Sequence, residues 1–347
     1  MRVVFYAYPS AFQNPGGGEI QLLKTKEALQ RKGVEVKLFN QWQDSFDDFD
    51  ILHVFGSVKD CLGLMHSAKN KGLKIALSTI FWSSFKRSFF ESARIKTRAE
   101  LALRHLTKLL VPVFPSGRRK MMALADILLP NSRAEVVQLK RLFALPERKM
   151  QVVANGVDEW FKNARKDIFV AKFGLSDFVL AVGRIEPRKN QLNLIKALSD
   201  FDKELVIIGN PVSDYQDYYR TCKKEAGRRV HFLGGMAQDD PLLASAYTAC
   251  AVFVSPGWFE TPGLAALEAG LAGAKLAVTK YGCTREYFLD LVEYFDPSNI
   301  KDIRRAIAAE LKTDTSRRLQ EHILYHYTWD KVAESTLAAY TKILKER

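Results

Sequence analysis

Short apolar runs alternate with helical stretches twice along this chain, and few folds accept such a pattern. In the first half the runs are residues 2–8 (RVVFYAY), Val34–Asn40, Asp50–Gly56 and LKIALSTI, with helical segments over Ile20–Arg31 and Lys59–Asn70. The second half restarts with Asp177–Gly183, ELVIIGN, RVHFLGG and CAVFVSP, spaced by helices over Gln191–Leu198, Tyr215–Ala226 and Asp239–Ala249. Strands spaced by helices in this way form a mostly parallel sheet covered on both faces. The chain therefore reads as α/β with two Rossmann-like domains, and its 347 residues suffice for two cores. The boundary is placed near residue 160, after the short strand MQVVA and the Asn155-Gly156 turn signal, giving domains over 1–160 and 161–328.

No apolar run approaches the length of a bilayer crossing, and the N-terminal MRVVFYAYPS reads as a first strand rather than a leader. Cys61, Cys222, Cys250 and Cys283 show no metal spacing and read as reduced thiols, so a cytoplasmic protein is expected. The formal charge of +13 predicts an anionic partner. Much of it comes from one segment: Ser84–Lys120 holds ten basic residues against two acidic ones. There Ile95, Ala99, Ala102, Leu106 and Leu109 recur at helical spacing, with Arg87, Arg94, Arg98, His105 and Lys108 on a neighbouring flank. Such a helix either packs on the sheet with a solvated basic edge or rests on anionic lipid, through Lys86, Arg87, Arg94, Arg98, Arg104 and Lys108. Phe85, Phe89 and Phe90 favour the membrane, and no nucleic-acid motif accompanies the charge.

Individual motifs vary in what they specify. Gly16, Gly17 and Gly18 follow the first strand and precede a helix, where glycine permits a phosphate close to the backbone; triple glycine is equally a flexible turn. Asp48 and Asp50 form a D-x-D pair that reads as solvated carboxylates, and His322 and His326 lie one helical turn apart without a third ligand nearby. No metal is expected.

The most informative stretch is Ser255–Val278, SPGWFETPGLAALEAGLAGAKLAV. Glu260 lies in a loop and Glu268 eight residues on, inside an otherwise apolar, small-residue helix. The spacing predicts two carboxylates facing one crevice at different depths. Thr261 suits the cap and Pro262 the first turn of that helix, leaving the amides around Gly263 and Leu264 to bind an anion. A ligand with phosphate at one end and hydroxyls at the other fits.

Four motifs in order, the N-terminal PGGGE, ANGVDEWF, AVGRIEPRKN and ETPGLAALE with its E-x7-E spacing, make the chain resemble glycosyltransferase family 4 of the GT-B fold. The similarity extends to Tyr327-Thr328-Trp329 before the last helix. It implies two Rossmann-like domains facing each other across a cleft, a final helix over 329–347 returning to the N-terminal one, and retention of anomeric configuration. It also implies a nucleotide-diphosphate sugar as donor, without a required cofactor.

Under that resemblance Arg184 and Lys189 stabilise the leaving phosphate with the backbone N–H groups of Thr261, Gly263 and Leu264, and Pro262, which has none to donate, lies in the same donor-binding turn. Glu260 lies near the donor sugar or its phosphate, Glu268 accepts hydrogen bonds from the ribose, and Gly17 and Gly18 approach the donor. Many relatives place a histidine where this chain has Ile80, Phe81 and Trp82, so Glu19, His53, Phe81 and Trp82 are the acceptor-side candidates. The acceptor is expected to be a sugar or lipid-linked glycan at the inner membrane face. The alternatives are a GT-B isomerase or phosphorylase, or a nucleotide-sugar- or polyanion-binding protein without turnover.

Overall fold

The computed structural model describes every residue except 14, 84–99, 101–102, 104–105, 108, 262, 314–316 and 346–347. The basic side chains at 86, 87, 94, 98, 104 and 108, and Pro262, lie outside the described residues. The chain divides into two compact units. Met1–Ser83, Leu103–Gly156 and Tyr327–Arg347 make the first, and Val157–His326 forms the body of the second.

Strands β1 (Arg2–Ala7), β2 (Glu35–Leu38), β3 (Ile51–Phe55), β4 (Lys74–Ser78) and β5 (Ile127–Leu129) build the first sheet in the order β2-β1-β3-β4-β5. Every pairing is parallel. All five β3 side chains are buried, as a central strand covered on both faces requires. The strand order reverses between β1 and β3, and at such a point the carboxyl ends leave a crevice for ligands. The glycine loop leaves β1 there and opens the helix Gly17–Arg31. The segment after Met150 is extended but is not a strand. Gln151 and Val153 donate to the carbonyls of Leu128 and Pro130 at 2.9 Å each, and only Met150 forms a bridge, to Leu128.

The helix Trp329–Lys345 belongs to this unit. Asp330 and Glu334 pair with Arg31 and Lys32 at 2.8 and 3.1 Å, and Tyr340 is fully buried. A Cβ on Gly156 would stand 2.6 Å from the Trp329 nitrogen and 2.7 Å from the Thr328 carbonyl carbon. Only glycine lets the outgoing and returning backbones touch at this point.

The second sheet contains β6 (Val179–Val182), β7 (Leu205–Ile208), β8 (Val230–Phe232), β9 (Val252–Ser255), β10 (Leu276–Thr279) and β11 (Glu293–Phe295) in the order β11-β10-β9-β6-β7-β8. All pairings are again parallel. Numbered within the unit, this is the 3-2-1-4-5-6 order of dinucleotide-binding domains, with its switch point between β6 and β9. β6, β7, β9 and β10 are rich in Val, Ile, Leu and Ala, which is why they read as apolar runs without alternation.

Candidate active site

The loops that leave β6 and β9 meet at the switch point of the second unit, where backbone carbonyls accept from both side-chain and backbone donors and hold the loops together. Asn190, held at φ +55, donates its amide to the carbonyls of Pro256 (3.0 Å) and Pro297 (2.9 Å). Trp258 answers in the other direction. Its backbone N–H donates to Arg188 O at 3.1 Å and its indole N–H to Pro187 O at 3.0 Å. Gly282, at φ +101, lies so close to Glu260 that any Cβ would collide with its carbonyl oxygen. The Glu260 backbone is thereby clamped: its N–H donates to Tyr281 O at 3.2 Å and its carbonyl accepts from Cys283 N at 3.1 Å.

On this frame Lys189 and Glu260 form a buried ion pair. Lys189 Nζ donates to Glu260 Oε1 at 2.7 Å, and Ser255 Oγ reaches the same oxygen at 3.1 Å. The carboxylate side chain is 4% exposed. Burial pushes the Glu260 carboxyl up, but Lys189 and then Arg188 outweigh it, leaving the group below the usual carboxylate range. Burial also lowers Lys189, and Glu260 offsets part of that loss. Glu260 Oε2 lies on the side of Gly263, 3.7 Å from where a Cβ there would stand, and accepts no hydrogen bond among the described residues. One oxygen is spent on the lysine and the other remains for a ligand.

Arg184 is partnered as well, by a residue that the sequence did not single out. Glu186 Oε1 lies 3.4 Å from Arg184 Nη2 and 3.1 Å from Arg188 Nη2, and accepts from Arg188 Nε at 3.2 Å. The Arg188 guanidinium also sits over the Phe259 ring, 5.7 Å from its centroid. Pairs within five residues of one loop leave no periodic signal, so only the folded turn Pro187–Lys189 brings them together.

The helix carrying Glu268 runs over Leu264–Leu271 and starts at Gly263, whose φ of +86 makes it the residue before the first turn. The expectation that Thr261 caps this helix is corrected: no side chain caps it, because a left-handed glycine supplies the entry. Glu268 lies one turn in and is 4% exposed. Its Oε1 accepts from Gln238 Nε2 at 2.7 Å and its Oε2 from the Tyr247 hydroxyl at 2.8 Å. Burial first, and then Glu268, push the Tyr247 phenol well above its usual range, so it stays a donor. Gln238 and Tyr247 lie thirty and twenty-one residues away in sequence, which is why sequence spacing missed them.

In the first unit the candidates separate. Gly17 and Gly18 open the helix Gly17–Arg31, and Glu19 turns back to accept from Gly16 N at 2.7 Å and from the Tyr8 hydroxyl at 3.3 Å. Glu19 thus closes the glycine loop. His53 does not serve as an acceptor-side residue: it is 1% exposed, and its ring nitrogens are hydrogen-bonded to Tyr340 Oη (2.6 Å) and Ser78 Oγ (2.9 Å). Burial pushes its pKa down to about 3, so it is neutral core. Phe81 is packed edge-on against Phe143, and Trp82 is half-buried beside it. Both follow Ile80, held at φ +42. The fully buried Glu135 accepts from Thr79 Oγ1, from Phe81 N at 2.7 Å and from Asn131 N at 2.8 Å, so it holds both flanks of Ile80. Burial pushes Glu135 up to about 7 against these bonds. Asp48 and Asp50 both go to Arg2, the former by its side chain at 3.4 Å and the latter by its backbone N–H at 2.8 Å.

Two doubly wound parallel units in one chain are the architecture of the GT-B fold. Residues 163–323 match the family Glycosyl transferases group 1. An uncharacterized glycosyltransferase of Methanocaldococcus jannaschii is 29% identical over 57% of this chain and 55% of its own length. A lipopolysaccharide 1,2-N-acetylglucosaminetransferase of Salmonella typhimurium is 25% identical over 59% of the chain and 61% of the relative. The chain thus matches between half and two thirds of these relatives' length. Among solved structures, Anabaena HepE in complex with UDP and glucose superposes over 98% of this chain and 99% of its own, with a TM-score of 0.74 at 16% identity.

Proposed function

We propose that the protein transfers a sugar, with retention, from a nucleotide diphosphate to a membrane-associated glycan or glycolipid. One observation carries the donor half of this reading: Lys189 is paired with a buried Glu260 beside Gly263 at the switch point, in the loop that also carries Arg184, and Glu268 lies one turn into the helix that Gly263 opens. Departure of a nucleoside diphosphate builds negative charge on phosphate oxygen and positive charge on the anomeric carbon. Arg184, Lys189 and the amides at the start of the helix Leu264–Leu271 supply fixed positive charge at the first. Glu260, through Oε2, supplies negative charge toward the second. Glu268 receives the ribose hydroxyls. No side chain is assigned as a nucleophile, so the departing phosphate itself takes the acceptor's proton. Arg184, Lys189 and the amides provide for the leaving group without a metal. The UDP complex of the HepE structure and the family that residues 163–323 match support a nucleotide donor.

Calorimetric titration with UDP, GDP, ADP and dTDP tests this half. One nucleoside diphosphate is expected to bind in the micromolar range; binding of none removes the transferase reading and leaves a polyanion-binding protein.

The acceptor half rests on charge and on exposed apolar surface. Leu103, Leu106, Leu110, Val111, Val113 and Phe114 are all exposed, Leu110 to 73%, within the basic stretch of the sequence. An apolar ridge beside basic charge suits an anionic lipid surface, where side chains insert and cations meet headgroups. That placement, on the inner face of the cell membrane, also agrees with the lipopolysaccharide substrate named for the Salmonella relative. Replacing Leu106, Leu110 and Phe114 by Ser is expected to release the protein from vesicles containing 30 mol % phosphatidylserine. Retention of the variant on those vesicles would refute the membrane assignment.

A further inference from the structure

The loops that leave β1 and β2 lie at the carboxyl edge of the first sheet and bring no cation to it. No Lys or Arg occurs between Arg2 and Lys24 or between Lys37 and Lys59, although the chain has 52 of them in 347 residues. Two acids of the second loop are paired inside the unit, Asp44 with Lys37 at 2.6 Å and Asp47 with Lys71 at 2.8 Å. A cation does reach the loop after β3, where Arg118 Nε donates to Ser57 O at 2.9 Å, but β1 separates that strand from β2.

What the two loops present instead is aromatic rings and neutral amides. Trp42 is 85% exposed, and Phe12, on the neighbouring loop, 46%. A single exposed apolar side chain is ordinary on a surface. Here, however, the indole stands on a turn that is closed without it. Trp42 N donates to Asn40 Oδ1 at 3.0 Å, and Gln43 N and Asp44 N donate to Asn40 O at 3.1 and 2.9 Å. Asn40 N donates in turn to Asp44 Oδ2 at 2.8 Å, and Phe39 stacks on Phe46 with ring centroids 4.6 Å apart. Gln41 Oε1 accepts from the Tyr6 hydroxyl at 3.3 Å, and Gln43 Oε1 from Asn40 Nδ2 at 3.2 Å. The oxygen ends of both exposed amides are thus engaged, and neither Nε2 donates to a partner among the described residues. Gln13, beside Phe12, is exposed as well.

We propose that Trp42 and Phe12, with the amides of Gln13, Gln41 and Gln43, form a subsite for an uncharged saccharide, so that the part of the acceptor read by the first unit is a neutral glycan and not a sugar phosphate. This rests on the reading of the protein as a transferase acting on a glycan, and narrows it. A pyranose ring has a face of C–H groups and a rim of hydroxyls. The C–H face suits the electron-rich face of an indole, and amide N–H donors suit hydroxyl oxygens. A phosphate or uronate would instead call for the charge-assisted bonds of cations, which these loops lack.

An array of immobilised neutral, sialylated and phosphorylated oligosaccharides is the probe. The wild type is expected to bind neutral glycans in preference to charged ones. Trp42→Ala is expected to weaken that binding about tenfold, the factor that ~1.4 kcal/mol represents. Trp42→Phe keeps an aromatic face and is expected to recover most of it, and Phe12→Ala to weaken the same glycans. Because the indole is solvated, Trp42→Ala is expected to unfold at the wild-type midpoint and to bind nucleoside diphosphates as the wild type does. A preference for charged glycans, a wild type that binds no neutral glycan, or a Trp42→Ala protein that binds glycans undiminished overturns the proposal. Loss of vesicle binding by Trp42→Ala with glycan binding retained assigns the ring to lipid and overturns it too. A wild type that binds neutral glycans through Trp42 but no nucleoside diphosphate removes the donor reading and leaves this subsite standing.

Discussion

Lys189→Met is expected to lower turnover by about two to three orders of magnitude, the range seen when one preorganised donor to a developing oxyanion is removed. It is also expected to destabilise the protein, because it strands Glu260 in the interior. Removing one partner of a buried pair costs about 3–5 kcal/mol, whereas removing both with side chains of similar volume is often neutral. The structure thus changes the expectation for this lysine from a catalytic cation alone to a cation that also supports the loop frame. Glu260→Gln alone is expected to destabilise by a similar amount, since Lys189 then lacks its counter-charge. The pair Lys189→Met with Glu260→Gln is expected to recover most of the stability and none of the turnover. Recovery of both would assign the ion pair a purely structural role.

The same cycle has a pH signature whose sign follows from Glu260. In the wild type its folded pKa lies below 4.5, so the carboxylate contributes stability above the unfolded pKa and loses it as pH falls through the lower folded value. In Lys189→Met the offsetting cation is gone, and burial, the largest influence on this group, raises the folded pKa. The penalty of ionised Glu260 is then present above its raised folded pKa and disappears as pH falls toward the unfolded value. The stability gap between wild type and variant therefore narrows on acidification, and urea midpoints across pH 4 to 8 measure it.

The fold was legible because its determinants are local. DFVLAVG, ELVIIGN and CAVFVSP are central parallel strands whose apolar continuity follows from burial on both faces, and the structure places them in β6, β7 and β9 of one sheet. The alternation of strands with helices was enough for α/β, and four ordered motifs were enough for the GT-B class. The sequence could not supply the pairing inside the site. Glu260 and Lys189 are 71 residues apart, and their contact depends on the backbone exchange between Trp258, Pro187, Arg188 and Asn190. His53 was a candidate only as the nearest histidine to the one that relatives carry around Ile80–Trp82; its partner Tyr340 is 287 residues away, on the last helix. The helix start moved from Pro262 to Leu264 because a glycine at φ +86 ends the loop, and φ is invisible in a sequence that also admits a capping threonine.

Glu268→Ala is expected to weaken nucleotide binding by about 10- to 150-fold, the range that a charge-assisted hydrogen bond of ~1.5–3 kcal/mol spans. Affinity alone does not separate a ribose contact from collapse of the site, since alanine also strands the buried Tyr247 hydroxyl and the Gln238 amide. The ligand can be varied instead. Each carboxylate oxygen has two lone pairs, so Glu268 can keep Tyr247 and Gln238 and still accept from the 2′ and 3′ hydroxyls. A 2′,3′-dideoxynucleoside diphosphate is then expected to bind the wild type as weakly as the ribonucleotide binds Glu268→Ala, and the two losses are expected not to add. Full additivity would mean that Glu268 and the diol do not meet, and the carboxylate would then serve only to hold Tyr247 and Gln238. A cycle between residue and ligand also distinguishes a damaged site from a lost contact, because a damaged site weakens both nucleotides alike and preserves the preference for ribose.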